Sequence, residues 1–406
     1  MANCLVCNNQ FEPFISFGKQ PIANGFLSEK DFKNEYFFEM KVGHCSACNM
    51  VQLLEQPKRE QMFNENYAFF SSTSTYMEKH FKAFAENIKD TYLKSEDPFI
   101  VEMGSNDGIM LQNFKDWGIR HLGVEPSANV AKVAMSKGIN SIVEFFDEEV
   151  SQKIVAEHGK ADAFLTANVM CHIPYIHSIA KGIKNLLSEK GILAFEDPYM
   201  GEIMEKASYD QIYDEHVFFF SALSVQRLFE MHNMELIDVQ PQITHGGSMR
   251  YILAHKGAYT VSDNVSKIIE KEKSLGIDNP KKYLELKKRI EKSRDDLIAL
   301  LKQLKSEGKT IVGYGATSKS TTILNYCQVG TGLIDFISDT TPIKQGKFTP
   351  GMHIPVKKYE EFQKNHPDYA LLFAWNHKNE ILDKEGDFKG KWITHVPDVH
   401  VFGLEN

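Results

Sequence analysis

Short apolar runs alternate with helical patterns through the middle of the chain. The runs that have the length of strands are residues 99–103, 121–124, 163–166 and 191–195. Two further apolar segments, 234–240 and 249–254, follow each other with no room for a helix between them. Alternation of strands and helices is typical of a parallel sheet, and the close pair predicts two antiparallel strands at its end. We therefore expect a doubly wound α/β domain over residues 71–260.

A second, smaller alternation of strands and helices occupies residues 309–406. Its apolar runs are residues 310–314, 334–338, 370–374 and 392–396. Between the two units, residues 261–308 are rich in Lys, Glu, Asp and Leu at helical spacing, with a break from Gly276 to Pro280. This pattern predicts a charged helical pair, which we interpret as a solvated connector.

Two C-x-x-C pairs lie near the start of the chain, and they predict a metal site in residues 1–70. The pairs are Cys4 with Cys7 and Cys45 with Cys48. Two such knuckles complete a tetrahedral Cys₄ zinc site, which is closed and therefore structural. We expect replacement of Cys45 to lower solubility or thermal stability and to leave the chemistry alone where folding survives. A redox role is the weaker alternative, because neither pair begins a helix after a strand.

Charge and hydropathy narrow the function classes. The chain has 406 residues, a formal net charge of −8 and no basic stripe, which argues against a nucleic-acid partner. It has no run of 18 apolar residues and no signal-peptide pattern. We therefore expect a cytoplasmic protein that does not enter a membrane, and we expect it to act as a monomer.

The strand over residues 99–103 is followed by a turn that suits a nucleoside ligand. This turn carries Gly104 and Gly108, and the next strand ends on Glu125. Glycines let the backbone approach a nucleoside, and an acid at the tip of the next strand can bind both ribose hydroxyls. The turn lacks G-x-G-x-x-G, which suits a ligand without a pyrophosphate. It resembles the first motif of class I S-adenosylmethionine (SAM) methyltransferases, and the alternative is an ordinary strand-to-helix turn. The candidate SAM-binding residues are Glu102, Gly104, Asn106, Gly108, Glu125, Pro126, Phe145, Phe146 and Asn168.

Polar residues that could perform chemistry follow the later strands of the same sheet. His172 comes just after the run 163–166, and Tyr213, Glu215 and His216 come soon after the run 191–195. Loops at the carboxyl ends of strands carry the chemistry of open sheets. Methylation of carbon needs a base for a C–H and hydrogen-bond donors for the resulting oxyanion. These residues fit that demand, but by themselves they do not distinguish it from O- or N-methylation.

A second glycine-rich turn, G-Y-G-A-T-S, begins the C-terminal unit. Gly315 lies in the turn, and Thr317, Ser318 and Lys319 could hold a pyrophosphate at the start of the following helix. A degenerate Rossmann unit that binds no ligand is the alternative.

The order of motifs along the whole chain resembles one family. After the cysteine knuckles come E-x-G-S-N-D-G, N-x-x-C-H-I-P-Y, F-E-D-P-Y, D-Q-I-Y-D-E-H, H-G-G-S-x-R, G-Y-G-A-T-S-K-S and A-W-N-H. This order is similar to that of the sugar C-methyltransferases of bacterial deoxysugar pathways, the tetronitrose-type 3-C-methyltransferases in particular. The resemblance implies a zinc domain, a SAM domain and a C-terminal Rossmann-like domain that binds the nucleotide of a dTDP-4-keto-6-deoxysugar.

The resemblance also implies roles for individual residues. His216 matches the base that removes the C-3 proton, and Glu215 lies beside it. Tyr213, His172 and Tyr67 match the other polar groups of the active site. The candidate substrate-binding residues are Arg250, Gly315, Thr317, Ser318, Lys319 and Asn376. Two alternatives remain, namely O- or N-methylation (or C-methylation at another carbon) of a nucleotide sugar and a non-catalytic scaffold that binds one.

Overall fold

A computed structural model of the chain describes residues 1–57, 75–364 and 366–403, and Tyr67 lies outside these residues. The strands of the N-terminal unit are β1 (Ala2–Asn3), β2 (Gln10–Phe11), β3 (Pro13–Pro21), β4 (Phe37–Cys45) and β5 (Met50–Leu53). Strands β1 and β2 pair with each other, whereas β3, β4 and β5 form an antiparallel sheet. A fourth strand, Phe218–Phe219, joins the edge of this sheet by pairing with β5. Because that strand comes from the middle of the chain, the two units share one sheet.

The middle unit is a seven-stranded sheet with helices around it. Its strands are β6 (Phe99–Met103), β7 (Arg120–Val124), β8 (Ser141–Ile142), β9 (Ala161–Ala167), β10 (Leu187–Pro198), β12 (Met234–Gln242) and β13 (Ser248–His255), with β11 (Phe218–Phe219) in the N-terminal sheet. Its helices are α1 (Thr75–Tyr92), α2 (Leu111–Asp116), α3 (Ala128–Ser136), α4 (Glu148–His158), α5 (Ile176–Leu186), α6 (Met200–Lys206) and α7 (Ala222–Glu230).

The strand order of this sheet confirms the class I methyltransferase fold. The order is β12-β13-β10-β9-β6-β7-β8, and β13 runs antiparallel to both of its neighbours. The direction of strand succession reverses between β6 and β9. In open α/β sheets, ligands bind outside the carboxyl ends of the strands at such a reversal. The turns after β6 and β9 therefore define the expected site.

The charged segment forms two helices, α8 (Asp263–Leu275) and α9 (Pro280–Ser306). Gly276 ends α8 in a left-handed conformation, and the Asn279 side chain caps α9 by accepting the Lys281 N–H. One face of α9 is buried, including Tyr283, and buried Glu272 of α8 accepts the backbone N–H groups of residues 222 and 223. The interpretation as a solvated connector is therefore wrong for the inner faces of these helices, which pack as core.

The C-terminal unit is a six-stranded Rossmann-like sheet. Its strands are β14 (Ile311–Tyr314), β15 (Ile337–Asp339), β16 (Val356–Lys358), β17 (Tyr369–Leu372), β18 (Lys391–Thr394) and β19 (His400–Phe402), and its helices are α10 (Ser318–Tyr326), α11 (Tyr359–Lys364) and α12 (Lys378–Lys384). The order is β16-β15-β14-β17-β18-β19, and the pairs are parallel except for β18 with β19. Every helix in the described part of the chain is too short or too polar to span a bilayer.

Candidate active site

The four predicted zinc ligands lie together in the N-terminal unit. The Sγ atoms of Cys4 and Cys48 are 3.6 Å apart, and those of Cys7 and Cys45 are 3.4 Å apart. All four sulfur atoms lie within 4.8 Å of one another. Zinc–sulfur bonds of about 2.3 Å in a tetrahedron place the sulfurs about 3.8 Å apart, so this cluster fits one Zn²⁺.

Both cysteine knuckles have the same backbone conformation. Asn8 and Asn49 each follow the second cysteine of a pair with φ of +59°. Their N–H groups donate to the carbonyls of Cys4 and Cys45, which closes each turn and aims its thiols inward. Asn is tolerated in the left-handed region better than most residues. The neighbouring His44 is not part of the cluster, and its ring stacks on another side chain at a centroid distance of 4.3 Å.

A cavity opens at the carboxyl ends of β6 and β9, where the strand order reverses. The predicted SAM-binding residues that line it are Gly104, Asn106, Glu125, Pro126, Phe145, Phe146 and Asn168. The cavity is also lined by His172 and by residues that the sequence did not single out, which include Met77, Phe81, Ser127, Tyr175 and His245. It thus combines a carboxylate, amides and aromatic faces, which are the groups that a ribose, an amino-acid end and an adenine require.

Two residues with positive φ shape this cavity. Gly104 has φ of +67°, and a Cβ there would lie 2.4 Å from the Val169 side chain. Asn168 has φ of +57°, and its N–H donates to the Glu196 carbonyl at 2.7 Å, so it leaves β9 on a tight turn. The close approach at position 104 is possible only without a side chain, which explains the glycine.

Glu125 is held rigidly at the end of β7. Its two carboxylate oxygens accept the N–H groups of Asn106 at 3.0 Å and Ser127 at 2.8 Å. Burial is the largest influence on the pKa of Glu125 and raises it above the usual value. Each oxygen keeps a second lone pair, so the carboxylate can also accept from ribose hydroxyls.

Three predicted ligand-binding residues of the middle unit do not line the cavity. Glu102 is buried within β6, and burial raises its pKa well above the usual value. Gly108 supplies a turn with φ of +83° before α2. The Arg250 guanidinium pairs with the buried Glu196 carboxylate at 2.9 Å and stacks on Phe84, with 3.6 Å from Cζ to the ring centroid. Glu102 and Arg250 are thus buried within the fold, and Gly108 serves the turn.

His216 is a buried, oriented imidazole close to the cavity. Its Nδ1 lies 2.7 Å from the Gln211 carbonyl oxygen. Because a carbonyl only accepts, Nδ1 carries the proton and Nε2 carries the lone pair. Burial is the main cause that lowers the pKa of His216 well below the usual value, with His172 adding to it. The imidazole is therefore neutral at physiological pH.

Two other predicted catalytic residues, Tyr213 and His172, lie beside this imidazole. The ring of Tyr213 lies 4.0 Å from that of His216, and the ring of His172 lies 5.3 Å from it. Burial lowers the pKa of His172 to about 4. Glu215 accepts the Asn24 side-chain amide at 2.8 Å, whereas the Gln211 carbonyl orients His216. Glu215 thus connects residues 210–216, which carry the predicted base and are called the catalytic loop below, to the N-terminal unit.

The second glycine-rich turn lies between the C-terminal unit and the middle unit. Gly315 has φ of +89°, and Thr317 caps α10 by accepting the Ser320 N–H at 3.1 Å. At the tip of β15, Asp339 accepts the N–H of the residue that follows Gly315, at 2.6 Å. An acid at this position beside such a turn is the arrangement that nucleotide-binding sheets use.

The Lys319 ammonium is engaged between these two units. It donates to the His245 carbonyl at 3.0 Å and to the Asn376 Oδ1 at 3.2 Å, and it lies over the Trp375 ring. Burial lowers the pKa of Lys319 to about 8. Trp375 in turn donates its indole N–H to Asp210 of the middle unit at 2.5 Å. Lys319 and Trp375 thus join the C-terminal unit to the middle unit, and half-buried Ser318 lies beside Lys319 as the first residue of α10.

Comparisons with known proteins agree with this architecture. Family models match residues 4–63 ("Putative zinc binding domain"), 76–239 ("Methyltransferase domain") and 243–397 ("C-methyltransferase C-terminal domain"). The chain is 33% identical to the C-methyltransferase NovU of Streptomyces niveus over 409 residues, which covers 99% of this chain and 97% of that protein.

Solved structures of methyltransferases are similar to part of the chain. A SAM-dependent methyltransferase from Anabaena variabilis is 17% identical and covers 43% of this chain and 84% of its own, with a TM-score of 0.34. A possible histamine N-methyltransferase from Thermotoga maritima is 18% identical and covers 45% and 92%, with a TM-score of 0.33.

The full-length match and the three family models agree with the fold, with the cysteine cluster and with the cavity at the strand reversal. They support a methyltransferase rather than a non-catalytic scaffold. The chain belongs to the SAM-dependent C-methyltransferases with an N-terminal zinc-binding domain.

Proposed function

We propose that the chain methylates C-3 of a nucleotide-linked 4-keto-6-deoxysugar, with dTDP as the expected nucleotide. The observation that carries the proposal is the neutral, oriented imidazole of His216 next to His172 at the edge of the methyl-donor cavity. The motif order that resembles deoxysugar C-methyltransferases suggests the substrate class. Membership of the C-methyltransferases favours carbon over oxygen or nitrogen as the acceptor atom.

In this proposal His216 is the general base. Its Nε2 carries a lone pair because Nδ1–H is committed to the Gln211 carbonyl. The lowered pKa of His216 keeps the ring neutral, so it can accept the C-3 proton without first losing one. The electron pair of the C–H bond then moves into the C-3–C-4 bond, and the C-4 ketone oxygen takes the negative charge. Without that ketone the C-3 proton would be far too weakly acidic.

Hydrogen-bond donors must stabilise the enolate oxygen. Tyr213 and His172 lie beside the His216 ring, and both are only partly buried, so each can reach a bound sugar. A neutral imidazole and a phenol each supply one donor. Oriented donors aimed at developing negative charge are typically the largest single contribution to such catalysis. Tyr67, outside the described residues, stays a proposed further contact to the sugar.

The methyl-donor cavity would hold SAM, which supplies an electrophilic methyl group on sulfur when bound. Glu125 would accept the ribose hydroxyls, Phe145 and Phe146 would flank the adenine, and Asn168 would contact the amino-acid end. Asn106 lies opposite Glu125 and donates its backbone N–H to it. These contacts would hold the donor in the cavity that His172 also lines.

The nucleotide of the acceptor would bind the C-terminal unit. The N–H groups at the start of α10, with Thr317 and Ser318, would face the pyrophosphate, and Gly315 would allow its close approach. Lys319 bridges this turn to the His245 carbonyl, and Asn376 accepts from the same ammonium. The nucleotide and the reacting carbon would thus lie on opposite sides of one interface between units.

A panel of sugar nucleotides tests the proposal. Purified enzyme with SAM should raise the mass of a dTDP-4-keto-6-deoxysugar by about 14 Da, because a methyl group replaces a hydrogen atom. NMR should place the new methyl group on C-3. The matching 4-hydroxy sugar should not react, because it cannot form the enolate. GDP- and CDP-linked ketosugars test the nucleotide preference. Methylation of an oxygen or nitrogen atom, or reaction of the 4-hydroxy sugar, would contradict the proposal.

Replacing Glu125 with Ala should weaken SAM binding at least several-fold, because the charged acceptor for the ribose hydroxyls is lost. Isothermal titration calorimetry measures the affinity. Glu144→Ala is the matched control, since Glu144 is an exposed acid near the same cavity and should leave the affinity unchanged. Equal affinities for wild type and Glu125→Ala would show that the ribose binds elsewhere.

A further inference from the structure

His245 has an unusual backbone conformation next to the cavity. It lies in the connection between β12 and β13 and has φ of +55° and ψ of +15°, inside a short 3₁₀ turn over Thr244–Gly246. A residue with a Cβ is uncommon in the left-handed region, and such strain persists where the surroundings enforce it. Glycine would adopt this conformation without strain, so the presence of histidine suggests that its side chain has a role.

Hydrogen bonds hold the His245 backbone from several sides. Its carbonyl accepts the Lys319 ammonium at 3.0 Å and the Gln211 side-chain amide. The preceding Thr244 donates its hydroxyl to buried Glu196 at 2.8 Å. Gln211 is also the residue whose carbonyl accepts from the His216 ring. One buried glutamine therefore sets the positions of both His216 and His245.

The His245 side chain faces the cavity with a polar atom that the fold does not satisfy. It lines the same cavity as Gly104, Asn168 and His172. Its Nε2 is buried and has no hydrogen-bond partner among the residues that the structure describes. Burial lowers the pKa of His245 to about 4, with Lys319 adding to it, so the ring is neutral. A buried imidazole nitrogen without a partner costs free energy unless a ligand supplies one.

We propose that His245 is a further substrate-binding residue, whose Nε2–H donates to an oxygen of the acceptor sugar next to the reacting carbon. Gln211 and Lys319 position it through its carbonyl. This inference rests on the proposed function for the identity of the acceptor. Because Lys319 belongs to the C-terminal unit, the contact depends on how that unit meets the middle unit.

His245→Asn tests the proposal, since Asn tolerates the left-handed conformation and keeps the loop but places no donor at the reach of Nε2. We expect kcat/KM for the acceptor to fall about 10²-fold, the usual cost of one donor at a reacting oxygen. The affinity for SAM measured by calorimetry should stay within about twofold of the wild-type value, because His245 is not proposed to contact SAM. His158→Asn, which alters an exposed histidine of α4, should change neither quantity.

Two outcomes would overturn the inference. One is unchanged kcat/KM in a folded His245→Asn enzyme, and the other is a loss of SAM affinity that accounts for the whole loss of activity, which would make His245 a contact to the methyl donor. The comparison uses whichever acceptor the wild type methylates. Failure of the wild type on every 4-ketosugar nucleotide would contradict the proposed function, whereas the ratio of variant to wild type tests His245 alone.

Discussion

Replacing His216 with Asn should lower kcat by about 10²–10⁴-fold, the usual cost of losing a general base. Asn is polar and of similar reach, and its amide can still donate to the Gln211 carbonyl. It has no basic nitrogen, however, that could take the C-3 proton. The KM values for the acceptor and for SAM should change less than kcat, because binding of either substrate requires no proton transfer. Steady-state kinetics with each substrate varied in turn measures the three quantities.

Hydrogen exchange isolates the step that His216 performs. With S-adenosylhomocysteine in place of SAM, the wild type is expected to exchange the C-3 hydrogen of the acceptor with D₂O, and His216→Asn is not. Exchange requires a base and a stabilised enolate but no methyl transfer. Mass spectrometry of the recovered sugar nucleotide therefore separates a missing base from a displaced methyl donor.

The pH dependence of the wild type gives a second measure of the same group. A base must be unprotonated, and burial holds the pKa of His216 well below its usual 6.5. Activity should therefore persist as the pH falls below 6.5 and decline only as the pH passes through the lowered pKa. An acid limb of kcat/KM at pH 6.5 or above would mean that another group limits the reaction.

A buried histidine in β7 of the seven-stranded sheet controls for the general cost of the substitution. His121 is also buried, its Nδ1 lies 2.9 Å from a backbone carbonyl oxygen, and it is not among the residues that line the cavity. His121→Asn should therefore alter stability at most and leave kcat intact. A folded His216→Asn enzyme that turns over at the wild-type rate would eliminate His216 as the base and transfer the role to His172.

Six of the seven strands of the central sheet were predictable from sequence because each contains an apolar run, whereas the two-residue edge strand β8 was missed. Residues 99–103 are a strand with the predicted limits, and the antiparallel pair at 234–240 and 249–254 occurs where the spacing requires it. Two edge strands of the C-terminal sheet, Val356–Lys358 and His400–Phe402, were missed, since three residues with exposed positions carry no strand pattern.

The hydrogen-bond and ion-pair partners of polar side chains could not be predicted from the sequence. Arg250 is a plausible ligand for a phosphate until the fold brings Glu196 to it across two neighbouring strands. Gln211 lies in a quoted motif, yet its contact to the His245 backbone depends on two distant segments of the middle unit meeting. His245 carried one signal, the two glycines that follow it, which indicate a turn but not a cavity.

The pairing of strand Phe218–Phe219 with the N-terminal sheet was likewise not predictable from the sequence. Its apolar run suits the core of the middle unit, but it pairs with β5 and completes the sheet that carries the second cysteine knuckle. The Val217 carbonyl also accepts the Leu53 N–H at 2.9 Å. His216 directly precedes this segment, so the zinc-binding unit supports the catalytic loop. These contacts lead us to predict that loss of zinc also disturbs the loop that carries His216, in addition to lowering stability.

Replacing Cys45 with Ser should release zinc and lower both thermal stability and kcat. Binding of structural zinc contributes on the order of 10 kcal/mol in zinc-finger peptides, so losing one thiolate ligand removes a large part of the unit's stability. Cys45 is the last residue of β4, which pairs with β5, and β5 in turn pairs with Phe218–Phe219. Loosening this sheet displaces the loop that holds His216, because Asn24 and Ala23 of the same unit also bind Glu215 and Asp214.

Three measurements on one preparation check this expectation, namely zinc content by elemental analysis, the midpoint of thermal unfolding and kcat. Cys327→Ser is the matched control, because Cys327 is a buried thiol of the C-terminal unit outside the cysteine cluster, and the variant should keep its zinc and its activity. If Cys45→Ser loses zinc and stability but its folded fraction keeps the wild-type kcat, the sheet does not position His216. A folded, fully active wild type without zinc would contradict a structural zinc site in this enzyme altogether.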